Sequence, residues 1–593
     1  MAMNLSLLCE RETLRNRLES KSDTAQLDSI MKWIIGQNPE LKSSGKEIKE
    51  EIKVMVAEFE KKINQMTREE CIQLAKEKFP EILEVTEAEK IRETRQTLPP
   101  LPNAKKGKVI VRFPPEPSGH PHIGHLYASF INRWYADEYE GKLILRFEDT
   151  NPQKVMSEFY DIIKKGLQWA SIDWDEEAYE SKNISTYYKY AEQLIEMGKA
   201  YVCTCDRETT AKYRKESIPC KHREPAPTDQ KVKWKKMLAS EGYKVGEATL
   251  RLKTDMKYPN ALMRDPAIFR IIEGDHPLVG NKYRVWPLYD FSASVEDSNL
   301  THVIRSEEFR IRTQLQKLIQ NLLGLFTPEY IHFSRFKIKG TPVAKRKIRT
   351  LIESEIIKDW SDIRLSSIAG LRKRGIVPET IKQLAFDLQL TSTQPIIEWS
   401  MLLAINRKLI DQMVDRYWAV VDPIVMTIEN ASEKVATPYL HLDFKDRGTR
   451  SLTCKGRVYI PKMDVEKLKV GQALRLKDLY NVKIKEITAE EVRATYAGNE
   501  TKINPKIQWV PIEHSCPITL QIPDVIYIED PNNPDEEIIN KNSLIIAEAL
   551  AEDTIMDLKL DTIVQFERVG FGLLAQKSPK IIFNMVEKPP FSI

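Results

Sequence analysis

Along the N-terminal stretch, apolar side chains recur at three- and four-residue steps, Ile48, Ile52, Met55, Phe59, Ile63 and Met66. That stripe predicts an amphipathic helix. Thr67-Arg-Glu-Glu70 has the form of a capping box opening a further helix. Leu98-Pro-Pro-Leu-Pro-Asn-Ala-Lys-Lys-Gly107 cannot continue a helix and reads as a stiff linker. Beyond it the period changes. Val109-Ile-Val-Arg-Phe113 reads as a buried strand, a Pro-rich turn ends at Gly119, and a helix starts near His122. Gly141 closes that helix, and Lys142-Leu-Ile-Leu-Arg-Phe147 reads as a second buried strand. Strand, helix and strand in succession predict a parallel crossover unit, whose ligands sit at the C-terminal strand ends.

Residues near 200 to 283 mix cysteines, a charged helical piece and strand-like segments, and Val285-Trp-Pro-Leu-Tyr-Asp-Phe291 reads as a resumed apolar strand. From Leu351 to Trp418 the pattern is helical, with Leu365, Ile368, Leu371 and Asn406-Arg-Lys-Leu-Ile-Asp411. Past Val420, alternating segments such as Arg457-Val-Tyr-Ile460, Lys483-Ile-Lys-Glu-Ile-Thr488 and Ile507-Gln-Trp-Val510 predict antiparallel barrels. No internal repeat is evident.

A chain of 593 residues is too long for one core and implies about four or five domains. With 42% hydrophobic and 30% charged residues, it lacks an apolar run of membrane-spanning length, and no membrane partner is expected. The apolar start Met3-Asn-Leu-Ser-Leu-Leu8 meets Glu10 and Arg11 too soon for a signal peptide, so a cytoplasmic location is expected. Net charge of +4 neither demands nor excludes RNA. Ala344-Lys-Arg-Lys-Ile-Arg349 and Leu371-Arg-Lys-Arg374 suit either a solvated helix face or a nucleic acid.

His122-Ile-Gly-His125 places two imidazoles on the first helical turn, where unpaired N–H groups favour phosphates. Gly124 between them leaves room for a base or ribose. Cys203, Cys205, Cys220 and His222 form two close pairs with fourteen residues between them, which suits either a structural Zn²⁺ or reduced thiols.

The strings Arg112-Phe-Pro-Pro-Glu-Pro-Ser-Gly-His-Pro-His-Ile-Gly-His125 and Leu145-Arg-Phe-Glu-Asp-Thr-Asn-Pro152 resemble the class I aminoacyl-tRNA synthetases of the glutamyl and glutaminyl branch. The likeness continues through Arg251-Leu-Lys-Thr-Asp255, Arg264-Asp265, Trp286-Pro-Leu-Tyr-Asp-Phe291, Thr301-His-Val-Ile-Arg305 and Val564-Gln-Phe-Glu-Arg568, covering roughly residues 95 to 593. It implies a multidomain α/β plus all-β protein. A helical appendage (1–95), a place for a protein partner, precedes a Rossmann-like catalytic domain (96–200 and 285–350) with an acceptor-binding insertion (201–284). A helical stem-contact domain (351–419) and anticodon-binding β-barrels (420–593) follow.

The resemblance implies an ATP- and Mg²⁺-dependent ligase that joins glutamate to tRNA through glutamyl-adenylate. The tRNA is that for glutamate, with the glutamine tRNA a further candidate. His122 and His125 would contact phosphates, and Gly124 would adjoin the nucleotide. Phe336-Lys-Ile-Lys-Gly-Thr-Pro-Val-Ala-Lys-Arg-Lys347 occupies the place of the mobile second signature; its lysine survives as Lys345, whereas Ala344 replaces the usual serine. Arg305 stands where glutamyl enzymes have arginine and glutaminyl enzymes a small uncharged residue. Arg112, Glu148 and Tyr289 would complete the amino-acid pocket. The cysteine cluster matches one in related insertions. Distally, Lys506, Gln508, Trp509, Gln565, Glu567 and Arg568 suit unstacked bases, while Trp509 and Phe566 also suit a barrel core. The rival readings are a glutaminyl enzyme and a tRNA-binding adaptor that has lost catalysis.

Overall fold

The computed structural model describes residues 5–19, 27, 30, 31, 34, 46–79, 82, 96–531 and 533–589. It divides into two compact units, residues 1–97 and 98–593.

In the first unit, α1 (Leu5–Glu19), α2 (Lys46–Ile63) and α3 (Arg68–Lys78) pack through their apolar faces. Leu8 and Cys9 meet Ile52 and Val56, while Leu14 and Ile63 meet Cys71 and Phe79. The capping box forms: Thr67 N donates to Glu70 Oε2 at 2.7 Å and Glu70 N donates to Thr67 Oγ1 at 3.2 Å. Met66 follows the end of α2 but still packs on this core. Met3, the side chain of Ile48 and residues 83–95 lie outside the described residues.

The second unit starts with Leu98 and Leu101, both buried in the core below the parallel sheet. Tyr135 Oη donates to the Pro99 carbonyl at 2.7 Å, and His302 Nε2 lies 2.8 Å from the Pro102 carbonyl. The expected linker is therefore a packed strap, because two leucines among its prolines have apolar partners.

The crossover follows: β1 (Ile110–Phe113), α4 (Ile123–Glu138), β2 (Lys142–Phe147), α5 (Ser157–Trp169) and β3 (Glu176–Tyr179). Both strand pairs are parallel, with Phe113 opposite Leu145 and Phe147 opposite Tyr179. The chain then leaves for α6 (Ile184–Glu196) and an antiparallel meander of β4 (Ala200–Cys203), β5 (Thr249–Leu252), β6 (Ala267–Ile271) and β7 (Val285–Pro287). The reading of Val285–Phe291 as one resumed apolar strand is corrected here. Val285 and Trp286 are buried in the meander's own core with Trp234 and Phe269, and Tyr289–Asp297 is helix, α7. Apolar character cannot say which sheet a strand joins.

The parallel layer resumes with β8 (His302–Ser306) and, after α8 (Arg310–Leu323), β9 (Glu329–Phe333). Thr301 N donates to Ile110 O at 3.1 Å, setting β8 beside β1. The strand ends of β1, β2 and β8 thus open on one side, where a crossover sheet presents its ligand site. A short helix α9 (Lys345–Glu353) starts at the lysine of the second signature, and α10 (Ile368–Arg374), α11 (Pro378–Leu388) and α12 (Trp399–Asp411) form the helical region.

Two seven-stranded sheets complete the unit, one within 423–511, the other joining 416–421 to 515–585. They are mixed rather than purely antiparallel: Met426 pairs in parallel with Val492, and Leu520 with Phe583. Local alternation reveals a strand's faces but not its partner. Trp418 and Trp509 are wholly buried in the first sheet's core and Phe566 in the second's. A separate two-stranded hairpin, Tyr527–Asp530 with Asn533–Ile539, borders the second signature, where Ile526 N and Tyr527 N donate to Gly340 O at 3.1 and 3.0 Å.

Candidate active site and metal cluster

His122 is the N-cap of α4. Its Nδ1 accepts from Gly124 N at 3.0 Å, and His125 Nδ1 accepts from His122 N at 3.1 Å. With both Nδ1 atoms accepting, each neutral ring carries its proton on Nε2 and can donate it outward. Burial, then the charge of Lys345, pushes His122 down to about 4. Burial, His122 and Lys345 push His125 well below its ordinary value. Gly124 serves the rings as well as any ligand: a Cβ there would stand 2.9 Å from His122 Cε1.

Lys345 opens α9, and its Nζ donates to Ser118 Oγ at 2.8 Å across Gly119, where a Cβ would lie 2.7 Å from Lys345 Cε. Ala344, the N-cap of α9, supplies no side-chain bond.

A cavity of ≈ 500 Å³ brings together Arg112, His122, Gly124, His125, Glu148, Tyr289 and Arg305. Lys345 stands beside this wall rather than in it. Arg112 is anchored by Asp297 at 3.3 Å and the Ile304 carbonyl at 3.1 Å. Asp297 also receives Arg146 at 2.8 Å. Burial alone would raise the Asp297 carboxyl, but Arg146, Arg112 and Arg305 hold it below its ordinary value. For Glu148 burial prevails over Arg146 and Arg112 and pushes the carboxyl up. Its Oε1 is 3.6 Å from Arg146 Nη2 yet has no hydrogen-bond partner.

Arg305 is buried and its Nε is unpartnered. Neighbouring acids are taken by other cations: Glu307 by Arg310, Glu308 by Arg335, and Asp290 by Arg312. Arg305 thus pairs with none of these three carboxylates. Its contacts are Tyr289 Oη at 3.3 Å, Thr313 Oγ1 at 2.9 Å and the Tyr330 ring at 4.9 Å.

In the meander, Cys203, Cys205, Cys220 and His222 converge, all four ligand atoms within 4.8 Å of one another. Cys220 Sγ lies 3.7 Å from Cys203 Sγ and 3.5 Å from Cys205 Sγ; His222 Nδ1 lies 3.2 to 3.7 Å from the three sulfurs. Tetrahedral bonds of about 2.3 Å to sulfur and about 2.1 Å to nitrogen would set such edges at roughly 3.6 to 3.8 Å, so the donor set fits zinc. His222 Nε2 faces Thr204 Oγ1 at 3.1 Å, the outer contact that orients a ligand ring.

Residues 108–412 match the family model described as tRNA synthetases class I (E and Q), catalytic domain, and residues 414–498 and 506–574 match two anti-codon binding domain models of the same group. The chain belongs to the class I tRNA synthetases of the E and Q group. This synthetase is 39% identical over 581 residues to the glutamate–tRNA ligase of Pyrococcus abyssi, covering 96% of this chain and 97% of that one. It is 40% identical over 577 residues to that of Pyrococcus horikoshii, with coverage of 96% and 97%. For the Nitrosopumilus maritimus protein of the same name, identity is 38% over 561 residues, with coverage of 94% and 95%.

Sequence reasoning missed Arg146, Asp297, Thr313 and His332. Arg146 had a signal: an arginine inside an apolar strand requires a buried acid. The synthetase supplies it from the end of α7.

Proposed function

We propose that this cavity binds glutamate and ATP side by side, and that the chain attaches glutamate to tRNA. The reaction breaks the bond between the α- and β-phosphates as the glutamate α-carboxylate attacks the α-phosphorus, releasing pyrophosphate. A ribose hydroxyl of the tRNA's terminal adenosine then attacks the adenylate carbonyl and AMP leaves. No enzyme nucleophile is needed, so positioning and charge neutralisation carry the rate.

Arg305, buried with its Nε unpartnered, carries the assignment to glutamate. Two parallel charged hydrogen bonds suit a carboxylate, whereas the amide NH₂ of glutamine would turn donors toward donors. Arg112, immobilised on Asp297, adds charge for the substrate. The unpartnered Glu148 oxygen takes the α-ammonium, which restores its carboxylate form, and Tyr289 closes the pocket. His122 and His125 donate Nε2–H to phosphate oxygens, Lys345 neutralises them, and Mg²⁺ accompanies the nucleotide. Cys203, Cys205, Cys220 and His222 hold a structural Zn²⁺ that braces the insertion. Beside Cys205 a ≈ 530 Å³ cavity lined by Arg207, Arg214 and Arg270 supports placing the acceptor end there. The helices of 351–419 meet the stem and the β-sheets the anticodon. Seven cysteines without a disulfide support a reducing compartment, the cytoplasm. Residues 1–95 serve as a docking appendage for a protein partner.

Charging of purified glutamate and glutamine tRNAs with each labelled amino acid tests the assignment. Glutamate incorporation is expected and glutamine incorporation is not; the reverse refutes it. Arg305→Ala is expected to lose glutamate charging.

A further inference from the structure

A guanidinium that is to receive a carboxylate gains most when its plane is set beforehand, since a freely turning fork loses the second of two parallel bonds. Thr313, on the first turn of α8, holds Arg305 Nη2 through its hydroxyl oxygen at 2.9 Å. The hydroxyl has one proton of its own to place. His332 Nε2 stands 3.2 Å from Oγ1, nearer than the Phe309 carbonyl at 3.4 Å. The parallel register of β8 and β9 sets His332 directly opposite Arg305, so two strands and a helix meet in one hydrogen-bond chain.

Direction in that chain depends on the imidazole. A neutral ring with Nε2 unprotonated accepts the Thr313 proton and leaves the oxygen lone pairs for Arg305. A charged ring would instead be a second donor to the same oxygen. Burial, then Arg305 and Arg310, with Arg112 beyond and Glu307 opposing, pushes His332 down to about 4, which keeps the ring neutral at neutral pH and so leaves it one nitrogen able to accept.

We propose that Thr313 and His332 are positioning residues for the side-chain carboxylate of the substrate: the hydroxyl aligns Arg305, and the imidazole fixes the direction of the hydroxyl. The proposal rests on Arg305 as the partner of that carboxylate.

Steady-state aminoacylation by the full chain, with glutamate and ATP varied separately, tests it. Thr313→Val keeps the shape and removes the hydroxyl; it is expected to raise KM for glutamate about tenfold, with KM for ATP and kcat changed less than about twofold. Thr313→Ser is expected to restore the parent KM, and His332→Phe to raise KM for glutamate severalfold. An unchanged KM for glutamate in Thr313→Val, an equal rise for ATP, or no rescue by serine overturns the proposal. Should the valine variant lose its cooperative thermal transition, His332→Phe decides, and an unchanged KM there overturns it. Arg305→Ala separates the two levels: if it spares KM for glutamate, the reading of Arg305 fails; if it raises KM while Thr313→Val does not, only the positioning role fails.

Discussion

Protonation of one imidazole should be visible in both stability and rate. His122 titrates near 4 when folded, against about 6.5 in an unfolded chain. Between those values the unfolded chain holds more protons, so this contribution is complete above about 6.5 and shrinks as pH falls toward about 4. Thermal midpoints of the parent are therefore expected to fall more steeply than those of His122→Asn between about pH 6.5 and about pH 4, the interval in which folded and unfolded chains differ in this proton. The same variant, lacking an aimed donor, is expected to slow tRNA-dependent pyrophosphate exchange about 100-fold. The imidazole pair could be read from a short string whose spacing is itself the geometry, and Arg305 only through the resemblance that Thr301-His-Val-Ile-Arg305 carries. Asp297, Thr313 and His332 could not, since each acts on a side chain from another strand or helix, and nothing in its own neighbourhood marks it.

The second signature ends in a helix whose N-cap, Ala344, supplies no side-chain bond. Replacing Ala344 with serine supplies an acceptor for the orphan N–H groups of α9, and chemical denaturation is expected to show a gain of about 0.5–2 kcal/mol, with pyrophosphate exchange at least maintained. On the far side of the loop, Gly340 has φ of +69°, and a Cβ would lie 2.5 Å from the Tyr527 carbonyl. Gly340→Ala is expected to cost about 1–3 kcal/mol in the same measurement. Strand and helix types were legible over much of the second unit where the period is clear, though Tyr289–Phe291, read as the end of a strand, opens a helix. Partner choice was not: Val285–Pro287 carries an apolar run suited to either sheet, and Trp286 finds Phe269 only in three dimensions. The parallel pairing of Met426 with Val492 was equally hidden, since it depends on a crossover rather than on either strand.

The described residues of the second unit form several separate cores, and the cysteine cluster lies in the smallest of them. Metal analysis of protein purified without chelator is expected to find zinc bound. Cys220→Ser should lose it and unfold at a lower temperature; zinc-free protein with an unchanged midpoint would count against the site. The order of helical, crossover and all-β regions was evident from changes in apolar period, whereas the packing of the Pro-rich segment was not, because prolines disguise the leucines between them. Leu98 and Leu101 act as plugs. A shortened chain starting at Leu98 keeps both, while one starting at Gly107 would leave leucine-sized holes, each costing about 2–5 kcal/mol, and strip Tyr135 and His302 of their acceptors. Anyone trimming this protein should cut ahead of the prolines, since the stretch that looks most dispensable is a stopper for the vessel behind it.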